Sequence, residues 1–138
     1  MIVSSSIIGL IGVALSYLIA VPLGSYMARL KNTWFDSIST AALTFMMSLP
    51  TIALVYIVRL AGSTLGLPDS FPILGASDWR SYVLPSLILG LLSAPWTAVW
   101  IRRYMIDLQS QDFVRFARAK GLSEKEISNK HIFKNAMV

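Results

Sequence analysis

The chain is decided by two stretches that do not resemble each other. The first is residues 38–58, I-S-T-A-A-L-T-F-M-M-S-L-P-T-I-A-L-V-Y-I-V, which carries no charge. The second is residues 112–135, D-F-V-R-F-A-R-A-K-G-L-S-E-K-E-I-S-N-K-H-I-F-K-N, which is basic and mixed in character. The first predicts a membrane span, because about 20 apolar residues cross a hydrocarbon core of about 30 Å as a helix. Residues 1–28 and 81–101 are also uncharged. Three such runs in 138 residues leave too little polar chain to cover them as buried helices of a water-soluble domain. The composition agrees: 55% hydrophobic and 14% charged, against about a quarter charged in an ordinary soluble domain. The expected class is an all-α membrane protein with three transmembrane helices, at about 7–27, 38–58 and 82–101. The first run is a poor signal peptide, since no basic residue precedes it and it is too long for an h-region.

Charge placement sets the expected topology. Ten of the twelve Lys and Arg residues fall in two regions. Arg29 and Lys31 lie between the first two spans; Arg102, Arg103, Arg115, Arg118, Lys120, Lys125, Lys130 and Lys134 follow the third. Two crossings separate these regions, so they share a side. Only Arg59 and Arg80 lie on the other. The positive-inside rule puts the basic side in the cytoplasm and the N-terminus outside. This placement accounts for the net charge of +5 without nucleic acid. The outer loop, 60–81, carries Gly62, Gly66, Pro68, Pro72, Gly75 and Asp78, with Phe71, Ile73, Leu74 and Trp79 among them. Trp79 and Tyr82 on one side, and Trp34 and Phe35 on the other, are expected to anchor at the interfaces.

Each span contains proline: Pro22, Pro50, then Pro85 and Pro95. Proline frees a carbonyl and kinks a helix. Ser48, Thr51 and Thr97 are positioned to help satisfy the freed groups. Kinks of this kind suit either a span that changes shape or ordinary packing. Gly9, Gly12, Gly90, Ser93 and Ala94 permit close helix contact. No Asp, Glu, Lys, Arg or His lies in the middle of a span, so the spans offer no means of coupling to an ion gradient. The chain has no cysteine and one histidine, His131, which cannot form a metal cluster alone. No segment gathers acids, His or Cys at catalytic spacing.

In the basic segment, Asp112 is expected to cap a helix. Phe113, Phe116 and Ala117 share one face, with Arg115 and Arg118 beside it. Gly121 occupies a left-handed C-cap position. Ser123 and Glu126 form a capping box that opens a second helix. This helix–Gly–helix elbow suits a groove on a partner protein or a lipid surface, and physical chemistry alone leaves the two equal.

The run R-F-A-R-A-K-G-L-S resembles the EAA loop of binding-protein-dependent ABC importer permeases, in the version of the oligopeptide/dipeptide/nickel permease family. That version reads Asp-Tyr-Val-Arg-Thr-Ala-Arg-Ala-Lys-Gly-Leu-Ser, followed by a His and an Arg-Asn-Ala. The chain matches at Asp112, Val114, Arg115, Ala117, Arg118, Ala119, Lys120, Gly121, Leu122, Ser123, His131, Asn135 and Ala136. The general pattern begins Glu-Ala-Ala; here Arg115 and Phe116 take the first two places, and only Ala117 and Gly121 fit it. Ser48-Leu49-Pro50 and Leu84-Pro85-Ser86 resemble the subgroup's span motifs more weakly. The resemblance implies a MetI-like bundle in a bacterial cell membrane. It implies a permease subunit of an ATP-driven importer, most narrowly the B-type subunit for oligopeptides. The implied partners are ABC ATPase subunits, a second permease subunit and an extracytoplasmic substrate-binding protein. Residues 112–135 would be the coupling segment, with Asp112, Phe113, Arg115, Phe116, Ala117, Arg118, Ala119, Lys120, Gly121, Leu122 and Ser123 at the ATPase. No cofactor is bound directly and no enzyme activity is implied for the chain itself: it has no Gly-Lys pair and hence no P-loop, so ATP is used by the partner subunits. The same resemblance implies a longer whole, with 1–138 as part of a transmembrane domain that lacks a first span and much of an outer domain and does not transport alone. The alternative is a membrane-anchored adaptor whose basic helix binds lipid or protein without transport.

Overall fold

The computed structural model describes residues 2–68 and 78–136, apart from the side chains of residues 130, 131 and 136. The outer-loop residues 69–77, which include Phe71, Pro72, Ile73, Leu74 and Gly75, lie outside the described residues. Helix α1 (Ile2–Arg29) is followed by α2 (Trp34–Ser48), α3 (Thr51–Thr64) and α4 (Arg80–Gln109). The elbow then comprises α5 (Asp112–Ala119), α6 (Glu124–Glu126), a π-helical stretch (Ile127–Phe133) and α7 (Lys134–Ala136). All the regular structure among the described residues is helical.

The frame is the pair α1 and α4. At one end the Tyr82 hydroxyl lies 3.5 Å from Ser4 Oγ, and at the other Gln109 Nε2 donates to the Ala28 carbonyl at 3.2 Å. The two helices therefore run parallel. They pack closely because glycine removes the side chain at each crossing point. A Cβ on Gly24 would stand 2.5 Å from the Ala98 carbonyl oxygen, one on Gly12 2.8 Å from Leu89 Cβ, and one on Gly90 3.0 Å from Leu15 Cβ. Gly9 has open space around it, so its expected part in helix contact is not seen. Ser86 is buried in the same seam, and its hydroxyl has no hydrogen-bond partner.

Parallel neighbours in one chain require a crossing between them, and α2 and α3 supply it. The span expected at 38–58, with a kink at Pro50, is two separate helices bent by 102°. Leu49 (ψ 137°) and Pro50 (ψ 130°) are consecutive extended residues. Proline disfavours the helical region for the residue before it, which explains Leu49. The Met46 carbonyl that Pro50 cannot bond accepts from the Leu49 N–H at 3.3 Å. Ser48 and Thr97, expected to serve freed carbonyls, bond Thr44 and Ser93 instead. The bent pair crosses and does not turn back. Its start is tied to Arg102 of α4, and Gly62 near its finish lies against Leu84. These levels are roughly 27 Å apart along α4 at 1.5 Å per residue. In contrast, α1 continues through Pro22, and α4 through Pro85 and Pro95. Of the four prolines in the expected spans, only Pro50 interrupts a helix.

Trp34 and Trp79 are exposed at opposite ends of the bundle, the positions of interfacial anchors. Phe35 is turned inward, with its ring 5.1 Å from that of Tyr26.

Candidate functional site: the elbow at the end of the bundle

Helix α5 begins one residue earlier than the capping pattern indicates. Gln111 is the extended N-cap, and its carbonyl accepts from Val114. Asp112 is the first helical residue, where its carboxylate still faces the positive end of the helix dipole. It lies 3.9 Å from Arg115.

The helix ends in a Schellman motif. Gly121, at φ +81°, donates to the Arg118 carbonyl, and Leu122 donates to that of Ala117. A left-handed residue is needed at this point, and glycine adopts that conformation without a Cβ clash. Ser123 then caps α6. Its Oγ accepts from the Glu126 N–H, and the Glu126 carboxylate accepts from the Ser123 N–H. The elbow is braced across the turn by Arg118, whose Nε and Nη2 donate to the two Glu124 carboxylate oxygens at 2.6 and 3.1 Å. That guanidinium holds the Glu124 carboxyl below the usual carboxylate range. A lowered carboxyl pKa means the brace is complete at neutral pH and fails only as pH falls through the lowered value.

One face of the elbow is buried in its own chain. Val114 and Ala117 join Met27, Ala28, Met105, Ile127 and Ile132 in one apolar cluster, with Phe113, Leu122 and Phe133 packed against it. The expected stripe of Phe113, Phe116 and Ala117 is thus split. Ala117 is 5% exposed, while Phe116 is 68% exposed. The reason is that α5 presents Val114 and Ala117, three apart on one face, to the cluster, which turns Phe116 outward. Exposed with Phe116 are Arg115, Arg118, Ala119, Lys120, Gly121 and Ser123.

The elbow is joined to the spans as well as to itself. Arg29 Nη2 donates to Asn129 Oδ1 at 2.6 Å, and Gln109 reaches α1 as described above. A cavity of about 310 Å³ lies between these groups, lined by Arg29, Gln109, Arg118, Glu124, Lys125, Ser128 and Ile132. The basic loop after α1 and the elbow therefore occupy the same end of the bundle, as the charge pattern requires. Among the described residues no group of three or more His, Cys, Asp or Glu could hold a metal ion.

A connection not anticipated from the sequence lies just above. Arg102 Nε and Nη2 donate to the Asp36 carboxylate at 2.6 and 2.7 Å. Asp36 Oδ2 also accepts from the Asn32 N–H at 3.1 Å. The signal was present: Thr33-x-x-Asp36 before an apolar run is a helix-start pattern, and Asp36 is the first acid in the chain.

A bundle built on three long uncharged runs and ending in a braced elbow is that of an integral membrane protein, and its relatives give the class. Residues 20–138 match the family of binding-protein-dependent transport system inner membrane components, and the chain belongs to it. It is 82% identical, over its full length, to the oligopeptide transport system permease protein AmiC of Streptococcus pneumoniae. It is 37% identical over 109 residues, 78% of the chain, to the glutathione transport system permease protein GsiC of Escherichia coli K12 and of Shigella flexneri. The chain spans 28% of the length of AmiC and 35% of that of GsiC. Permeases of this class are not known as enzymes.

Proposed function

We propose that the chain is part of the transmembrane domain of a permease subunit that imports oligopeptides, driven by ATP hydrolysis on partner subunits. The observation that carries this is the elbow, with a buried face fixed to α1 and α4 and an exposed face, centred on Phe116, left for a partner. In this reading Phe116 and its neighbours Arg115, Ala119 and Lys120 seat in a cleft of an ABC ATPase subunit. Val114 and Ala117 bind the elbow to the bundle, so a displacement of the ATPase moves the spans. The broken span α2–α3 is the natural part to change shape in alternating access, because its backbone is extended at Leu49 and Pro50. A second permease subunit completes the pathway, and an extracytoplasmic binding protein delivers substrate. The elbow end faces the cytoplasm of a bacterial cell, and the Ser4–Tyr82 end faces outside. The peptide substrate is supported by the oligopeptide and glutathione transport systems to which AmiC and GsiC belong, since glutathione is itself a short peptide.

The test is a chimera in which these 138 residues replace the corresponding segment of full-length AmiC in a strain without its own copy. Oligopeptide uptake at the level of unmodified AmiC is expected. A chimera that assembles with its partners yet takes up no peptide contradicts the reading. Retention by anionic vesicles in place of an ATPase would favour the lipid-binding adaptor.

A further inference from the structure

The pair of Asp36 and Arg102 is not explained by docking of the elbow. The side chains are 4% and 25% exposed, and the contact joins residues 66 apart in the chain. A buried ion pair is a weak source of stability, since well-packed apolar residues often serve as well; its best-attested use is to fix a register or a switch. The bidentate geometry adds direction, because a guanidinium fork fits a carboxylate in one orientation. The same carboxylate holds the Asn32 N–H, and Asn32 is left-handed at φ +65°. One acid therefore fixes the loop after α1, the start of α2 and the shaft of α4.

What the pair connects gives its use. Arg102 lies about two turns before the end of α4, which carries the elbow. Asp36 lies in the first turn of α2, whose other end is the break at Leu49–Pro50. We propose that Asp36 and Arg102 are positioning residues that pass a displacement of the elbow end of α4 to the broken span α2–α3. The inference rests on the permease reading above. Apolar contacts between helices can slide, whereas a bidentate fork cannot slide without breaking.

The test uses the AmiC chimera, reconstituted with its partner subunits, carrying Asp36→Asn or Arg102→Lys. ATP hydrolysis and peptide uptake are both measured per assembled complex. Both variants are expected to bind the ATPases and hydrolyse ATP at the unsubstituted rate, while peptide moved per ATP falls about tenfold, within the usual range of coupling energies. Asp107→Asn, an exposed acid on the same helix, is the control and leaves the ratio unchanged. An unchanged ratio in both variants overturns the inference even if less complex assembles, because the pair then serves only the fold. If Asp36→Asn does not assemble, Arg102→Lys decides, since it keeps the charge. Failure of both to assemble also overturns it. Absence of peptide uptake by the unsubstituted chimera is a different result and defeats the permease reading itself.

Discussion

Gly24→Val is expected to pull α1 away from α4. The new Cβ would meet the Ala98 carbonyl oxygen at 2.5 Å and Ile101 Cβ at 3.0 Å. The first of these is backbone and cannot rotate aside, so one helix must shift along the whole seam. Overpacking of this kind costs typically about 1–3 kcal/mol, and the upper end applies where the obstacle is backbone. The displaced seam includes Gln109 and Ala28, so the elbow loses its seat as well. Thermal unfolding of the chimera in detergent checks this, with Gly9→Val as the reference. Gly9 sits on the same helix with nothing within 4 Å of a Cβ and should behave as the unsubstituted protein. Equal stability of the two variants would mean that α1 and α4 do not pack in this register.

The second large effect is at Ala117, and it differs in kind from the effect at Phe116. Ala117→Arg places a guanidinium among Val114, Met105, Ile127 and Ile132. A buried charge without a partner, added to overpacking, costs at least about 3 kcal/mol, and the elbow is expected to come off the bundle. Association with the ATPase is lost because the fold is lost, which proteolysis of the elbow would reveal. Phe116→Asp leaves the cluster untouched, since Phe116 points out. It should keep the stability and protease resistance of the parent and still lose ATPase binding. If Ala117→Arg is as stable as Phe116→Asp, the division of α5 into inner and outer faces is wrong.

These two residues show how far the sequence could be read. Gly121, Ser123 and Glu126 were legible because their roles are local: a left-handed turn and a capping box depend on a few consecutive residues. The three apolar runs were legible from length alone. Which side of α5 faces inward was not, because Phe113, Phe116 and Ala117 lie on a plausible stripe and only the position of Met105, Ile127 and Ile132 selects Val114 and Ala117. The prolines follow the same logic. Pro22, Pro85 and Pro95 present the same local signal as Pro50, yet they lie in α1 and α4, which are packed along each other at Gly12, Gly24 and Gly90. That packing holds both helices straight enough to continue, whereas α2 and α3 have no such rail at Leu49. The Asp36–Arg102 bond was half legible: Thr33 and Asp36 announce a helix start, but the partner 66 residues on is a matter of tertiary structure.

The most direct test of the coupling role places a photo-crosslinking phenylalanine analogue at Phe116 in the chimera within cells. The expected result is a crosslink to an ABC ATPase subunit whose yield changes between ATP-bound and ATP-free states. The same analogue at Phe113, packed against the cluster, should crosslink within the chain. A Phe116 analogue that labels only lipid, or no partner in either state, would contradict the claim that the elbow couples this bundle to an ATPase.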